Sequence, residues 1–394
     1  MAPSGPLAPE VQEALGQITG REPTRDNRVR LLVDGTETYG AMLDLVQSAR
    51  VDVRFENFIF RDDTVGRAFA SALRDRAAGD AEVKVLYDPF GSIMSRRLPI
   101  GRRFRKSAVR VRVYNPFRPT LGFFRHGRDH RKVVVQDHER LVAGGMCLAD
   151  VWSGNCIRHC TWRDSAVLVE GGAAREAAAD FDLIWREARP QWGQRGTSTE
   201  AMARIDDGAG RNFGHVPVRL LSGRPGERRL EQALGRVFDA AREEILLTNA
   251  YFLPMNGLLT SLGAAARRGV KVEVLLPAHN NHPFVGLASE HIVGSLLEMG
   301  VQVWHWLGPM IHAKTAVVDR RWSVVGSSNL DALSLRKNLE LDIEIHGSAI
   351  GEELSAIFAR DRENCRPFTI ADWRGRTFRR RAATRLAFAG RRSL

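Results

Sequence analysis

At 394 residues the chain is long enough for two ordinary domains, and its 44% hydrophobic content supports packed cores rather than disorder. The formal charge is +12, which favours anionic partners over basic or neutral ones. Four cysteines, Cys147, Cys156, Cys160 and Cys365, are too few for a disulfide scaffold and fit a reducing compartment. Cys156 and Cys160 flank His159, but three ligands within five residues and no second cluster make a poor zinc site. Residues 1–18 carry neither a basic n-region nor a sustained apolar core, so no signal peptide is expected.

In chain order, residues 9–18 read as a helix, 28–33 as a strand, 38–49 as an amphipathic helix and 51–60 as an alternating strand. Residues 63–78 are helical in period and end at Gly79, ahead of a strand at 83–87 and a turn at Asp88-Pro89. The second half restates this order: strand at 218–221, helix 229–241, strand 245–249, helix 257–268, strand 270–275, helix 289–299 and strand 301–306. The uncharged run 245–266 is long enough to raise a transmembrane helix, but Asn249, Pro254, Asn256 and Gly257 break it into strand, turn and helix.

Val29-Arg-Leu-Leu32 recurs as Val218-Arg-Leu-Leu221, and His130-Arg-Lys132 with Asp137 recurs as His312-Ala-Lys314 with Asp319. The offsets, 189 and 182 residues, drift by only seven, as for one unit written twice with loop insertions. The expected fold is α/β: two tandem α/β/α sandwich domains related by a pseudo-twofold, with mixed, mostly parallel sheets. The domains are expected at 1–200 and 201–394, with the boundary in the Gly-, Ser-, Thr- and Asp-rich stretch 191–214.

The repeated motif carries the chemistry. His and Lys two positions apart on an extended segment face the same way, which pairs a nucleophile or proton carrier with a cation suited to phosphate oxygens. Two facing copies give one His to attack phosphorus, one to protonate the leaving oxygen, and Lys132 and Lys314 to neutralise charge. No metal is required. Each His needs an orienting carboxylate, and similar downstream spacing offers Asp164 to His130 and Glu340 to His312. Asp137 and Asp319 complete the motif beyond each strand and are expected to bond backbone or a cation near the site. The symmetry of the repeat does not choose which His attacks.

The two motifs, with Gly326-Ser-Ser-Asn329-Leu-Asp331 and Asn338-Leu-Glu340 after the second, resemble the phospholipase D superfamily, most nearly bacterial cardiolipin synthases of the kind without N-terminal transmembrane helices. The likeness covers roughly 27–361, including Tyr251-Phe-Leu-Pro254 and Gly269-Val-Lys-Val272. It implies a phosphatidyl transfer through a covalent phosphatidyl-histidine, with His130 as nucleophile and His312 as acid and then base. It also implies binding of the phosphoryl group by Asn329, Ser327, Gly145 and Cys147 at the two Gly-rich turns, and no cofactor. Cys147 stands where the family usually has Asn, and a thiol is a weaker donor than an amide. The same site with water as acceptor is a phospholipase D hydrolase; a nucleic acid phosphodiesterase is a third reading.

Between 89 and 128 there are eleven Arg and Lys and no acid, interleaved with Phe, Leu and Ile; the tail from Arg374 to Arg392 repeats the theme. Such segments suit an anionic phospholipid surface, with nucleic acid and a merely solvated basic face as competitors. The expected partners are therefore that surface, a phospholipid substrate and an alcohol or phospholipid acceptor, with the protein peripheral on the cytoplasmic side of the cell membrane.

Overall fold

The computed structural model describes residues 5–93, 100–116, 127–154, 161–190 and 213–390. Most of the expected linker, Cys156, His159 and Cys160, and parts of the basic run at 94–99 and 117–126 lie outside the described residues.

Two half-sheets meet side by side. In the first, Thr24–Val33 pairs with Ser165–Glu170, followed by Arg140–Gly144, Lys132–Gln136, Asp52–Asn57, Glu82–Tyr87, Arg110–Val113 and Arg189–Pro190. The second runs in the same order from Val216–Gly223 through Glu340–His346, Trp322–Gly326, Thr315–Val318, Glu244–Thr248, Lys271–Pro277 and Gln302–Trp306 to Cys365–Phe368. Antiparallel contacts Thr24↔Val218 and Asn27↔Val216 join them, so one sixteen-stranded sheet spans both repeats among the described residues.

The sheet is mixed, as expected, but it is not mostly parallel. Among the described residues only four of fifteen strand pairings are parallel, those flanked by crossover helices. The others are antiparallel because each motif strand returns through tight turns, Lys132–Gln136 to Arg140–Gly144 and Thr315–Val318 to Trp322–Gly326. Sequence periodicity registers the strand–helix alternation and passes over those hairpins.

Helices cover both faces. Gly172–Glu187 and Ser348–Glu363 pack on the inner side, and one apolar cluster there contains Val133, Val135, Ala174 and Ala177 of the first half with Val317, Ile343, Leu354 and Ile357 of the second. A shared core of this kind holds the halves in one register, since each would otherwise expose it to water. Pro9–Thr19, although it opens the chain, buries Val11 and Leu15 against Leu234, Val237 and Phe238 in the core of the second half. The run 245–266 divides into Glu244–Thr248 and Asn256–Arg267, and among the described residues no helix is long and apolar enough to cross a membrane.

Candidate active site

The motif strands are buried along their length or nearly so, because Val-rich segments suit a sheet covered on both faces. Each His lies just before its strand, on the segment that crosses the seam. The His130 N–H donates to the Leu339 carbonyl at 3.0 Å, and the His312 N–H donates to the Arg163 carbonyl at 2.6 Å. Parallel bridges Asp129↔Leu339 and Arg163↔Ile311 frame the same crossings. Leu339 precedes Glu340 and Arg163 precedes Asp164, so each crossing delivers a carboxylate to the histidine of the opposite half.

His130 Nδ1 accordingly lies 3.0 Å from both Glu340 oxygens, and His312 Nδ1 lies 2.8 Å from Asp164 Oδ2. This corrects the pairing expected from spacing, which gave Asp164 to His130 and Glu340 to His312. Asp164 and Glu340 stand at the heads of Ser165–Glu170 and Glu340–His346, at the seam, where the nearest imidazole is that of the other repeat. With Nδ1–H donated to carboxylate, each ring presents Nε2 for chemistry.

The lysines sit as the motif predicts. Lys132 and Lys314 each donate to the carbonyl of the histidine two residues earlier, and Lys314 Nζ is also 3.1 Å from His312 Nε2. Both are buried. Burial lowers the pKa of His130; burial and the Lys314 ammonium push His312 down to about 3. Burial brings Lys314 down to about 8. Burial also penalises the Asp164 and Glu340 carboxylates, yet the facing histidines outweigh it and hold both below the usual range. Burial thus favours the neutral imidazoles, while their neighbours favour the ionised forms of Asp164 and Glu340.

Three expected site residues have other work. Asp137 and Asp319 stand five residues beyond their lysines, roughly 17 Å along an extended strand. At φ of 50° and 52°, a left-handed conformation Asp tolerates, Asp137 accepts from the N–H groups of Arg50, Val51 and Asp52, and Asp319 from those of Arg242, Glu243 and Glu244. They anchor the loop before a neighbouring strand and touch no reacting group. Ser327 turns away from the phosphate position: its hydroxyl donates to Glu340 Oε2 at 2.6 Å and accepts from the Leu341 N–H at 3.0 Å. It therefore steadies the carboxylate behind His130.

Gly145, the counterpart of Ser327, is there for space. A Cβ on it would stand 2.3 Å from Asp164 Oδ1. Cys147 is buried among Met146, Leu148 and Tyr39, and burial pushes its thiol pKa up despite nearby Lys132. Asn329, at the matching turn, is buried with its side-chain oxygen free of protein partners and faces the cavity.

Composition and spacing gave no sign of the aromatic supports. Trp152 donates to Asp164 Oδ2 at 3.1 Å, and Trp152, Trp162 and Tyr251 surround the His312 ring with centroids at 5.4, 5.5 and 6.0 Å. Phe58 stands edge-on to His130 at 4.9 Å, with Lys132 over its ring. Arg163 is fixed by Asp361 through two bonds of 3.0 and 2.9 Å, which secures the carbonyl that receives the His312 N–H. A Trp-Arg-Asp triplet at 162–164 is the one local signal for this support.

A cavity of about 900 Å³ opens onto His130, Asn329 and Tyr251, with Phe58, Phe90, Leu253, Met255, Val285 and Phe388 on its walls. A polar end at His130 and Asn329 and apolar walls beyond suit an amphiphilic phosphodiester.

The family model described as cardiolipin synthase, PLD-like domain, matches residues 234–362. A cardiolipin synthase of Listeria monocytogenes serotype 4a (strain HCC23) is 30% identical over 347 residues, covering 86% of this chain and 69% of that protein. One from Staphylococcus aureus (strain Mu50 / ATCC 700699) is 29% identical, covering 86% and 68%. Among solved structures, the phosphatidylserine synthase of Haemophilus influenzae Rd KW20 superposes with a TM-score of 0.73 over 97% of each chain at 14% identity. The polyphosphate kinase of Porphyromonas gingivalis gives 0.58 over 100% of this chain and 57% of that one, at 13% identity. At those identities the two structures speak for the fold.

Proposed function

Because the chain belongs to the phospholipase D superfamily, in its cardiolipin synthase family, we propose that it moves a phosphatidyl group between alcohols through a covalent phosphohistidine. The observation that carries this is the crossed pair of carboxylate-held imidazoles beside two buried lysines. His130 Nε2 attacks phosphorus; the P–O bond to the leaving alcohol breaks, and His312 supplies the proton to that oxygen. The acceptor hydroxyl then attacks, its proton passes to His312, and the P–N bond breaks with its electron pair returning to His130. Lys132, Lys314 and Asn329 hold the phosphoryl oxygens.

His130 takes the nucleophile's role because the cavity opens onto it. His312, pushed down to about 3 in the free protein, gains its proton once an anionic phosphodiester offsets the lysine charge. The donor is phosphatidylglycerol or a related phospholipid, and the acceptor is an alcohol or a second phospholipid. The protein acts from the cytoplasmic face of the cell membrane as a peripheral enzyme, and the tandem units occupy 1–200 and 201–394.

The test is to incubate purified protein with phosphatidylglycerol vesicles and follow products. Cardiolipin with glycerol supports transfer; phosphatidic acid in its place assigns water as acceptor. A lack of lipid products, with cleavage of a phosphodiester oligonucleotide, overturns the lipid reading. Protein quenched in neutral denaturant, which spares the acid-labile P–N bond, should carry a phosphatidyl label on His130, and none in His130→Ala.

A further inference from the structure

The two halves differ at one point beside the cavity. In the first half Thr24–Val33 runs directly into the helix Asp34–Ser48, whereas in the second an Arg-Pro-Gly-Glu-Arg segment, 224–228, separates Val216–Gly223 from Arg229–Ala240. This insertion is fixed in place. Gly226, at φ 88°, donates its N–H to the Arg336 carbonyl at 2.8 Å. Pro225 packs on Gly127, three residues before the first motif; a Cβ there would meet Pro225 at 3.2 Å.

The latch brings two guanidinium groups onto one carboxylate in the cavity wall. Arg228 Nε and Nη2 donate to Glu231 at 3.2 and 3.0 Å, and Arg336 Nε and Nη2 donate to the same carboxylate at 2.8 and 2.9 Å. All three residues line the cavity. Two cations against one anion leave a net positive charge. Each guanidinium has five N–H donors and spends two on Glu231, so three remain on each. Glu231 is buried, whereas the Arg228 and Arg336 side chains remain 57% and 37% exposed. The carboxylate thus fixes the arginines and their free donors face the space.

Arg336 ends the short helix Ala332–Arg336, which begins two residues after Asp331's neighbour Leu330 and the Asn329 turn. Two extended residues and five helical ones separate them, which keeps Arg336 within about 14 Å of Asn329. From these placements we infer that Arg228 and Arg336 form a subsite for the phosphodiester of an anionic phospholipid acceptor. The inference rests on the phosphatidyl-transfer reading and names its acceptor. With the acceptor's phosphate on the arginine pair, its head-group hydroxyl reaches toward phosphorus on His130. There the O–P bond forms, the P–N bond breaks with its electron pair returning to the ring, and the proton goes to His312. A neutral alcohol has no use for the pair.

The experiment compares acceptors in one protein. Full-length wild type, Arg228→Gln, Arg336→Gln and the double variant are given phosphatidylglycerol vesicles, with and without 1-butanol, and cardiolipin is measured against phosphatidylbutanol. The expected result is a fall of about tenfold in the cardiolipin-to-phosphatidylbutanol ratio for the double variant, expressed in KM for the phospholipid acceptor more than in kcat. If the glutamine pair does not fold, Arg228→Lys and Arg336→Lys, which keep the charge but lose the fork, should show the same split at smaller size. A parallel loss with both acceptors assigns the pair to structure and overturns the subsite, as does an unchanged ratio. Wild type that makes phosphatidylbutanol but no cardiolipin also overturns it, while leaving phosphatidyl transfer standing. Wild type that makes neither removes both.

Discussion

His130 takes its carboxylate partner, Glu340, from 210 residues away at 3.0 Å, while His312 takes Asp164 at 2.8 Å. Neither motif histidine is held by a carboxylate of its own repeat. The proposed catalytic unit is the interface between them, and the apolar cluster beneath it is shared by both halves.

Removal of either carboxylate's charge should injure the histidine of the other half. Glu340→Gln and Asp164→Asn are expected to lower kcat by about 10²- to 10⁴-fold, as loss of the orienting acid does in hydrolase triads. With the natural donor both should slow labelling of His130, Asp164→Asn through protonation of the leaving alcohol; with a p-nitrophenyl phosphodiester donor, whose leaving group needs no proton, Glu340→Gln alone should slow it. Equal labelling rates in Glu340→Gln and wild type would restore the same-half pairing.

Lys314 predicts the basic limb of the pH profile. Burial brings its pKa down to about 8, and only the protonated form neutralises phosphate. As pH rises through that value the cation is lost, so kcat/KM should fall by up to about tenfold per pH unit above it. Arginine stays charged across this range, and Lys314→Arg, whatever its absolute rate, should lack the limb. Its persistence would assign the titration to another group.

Asp137→Ala and Asp319→Ala should act on stability. Each removes the acceptor for three backbone N–H groups, a loss of about 2–4 kcal/mol at the usual cost of orphaned donors. Thermal unfolding should shift down by several degrees. At a temperature where the variants are folded, kcat should stay within about threefold of wild type if the lost bonds serve packing alone. A loss of kcat on the scale of a His130 variant would return these aspartates to the chemistry.

The helix Phe378–Ala389 is expected to meet an anionic lipid surface. Phe388 lines the cavity from its inner side, while Phe378 and Leu386 are 81% and 74% exposed, with Arg379 and Arg385 beside them. Arg376 and Arg380 instead bond Glu290, at 3.2 and 2.6 Å, so only part of the tail's charge is turned outward. Phe378→Asp with Leu386→Asp should weaken sedimentation with anionic vesicles by tenfold or more, the order of one buried aromatic or leucine side chain. Undiminished binding would reduce the tail to a cover for the cavity.

The basic run shows how charge counts mislead when partners are distant in sequence. Arg103 bonds Asp62 at 2.7 Å, Arg110 meets Glu82, and Arg112 lies over the Trp185 ring at 4.8 Å. These arginines serve the first half's own surface, so among the described residues part of the acid-free stretch is paired in space.

The repeat itself determined most of what this protein is. Two His-Lys motifs at the heads of apolar strands, in two copies of one strand and helix order, require a pair of α/β units and place the imidazoles and lysines correctly, because strand periodicity and burial are local properties of the chain. Tertiary structure alone decided which carboxylate serves which imidazole, that Ser327 supports Glu340, and that Asp137 and Asp319 bond backbone rather than a cation. These depend on where the seam brings strand ends together. Offsets of 34 and 28 residues within each half measure distance along the chain, and the seam joins residues 148 and 210 apart because an interface between repeats sets each half's loops against the other's.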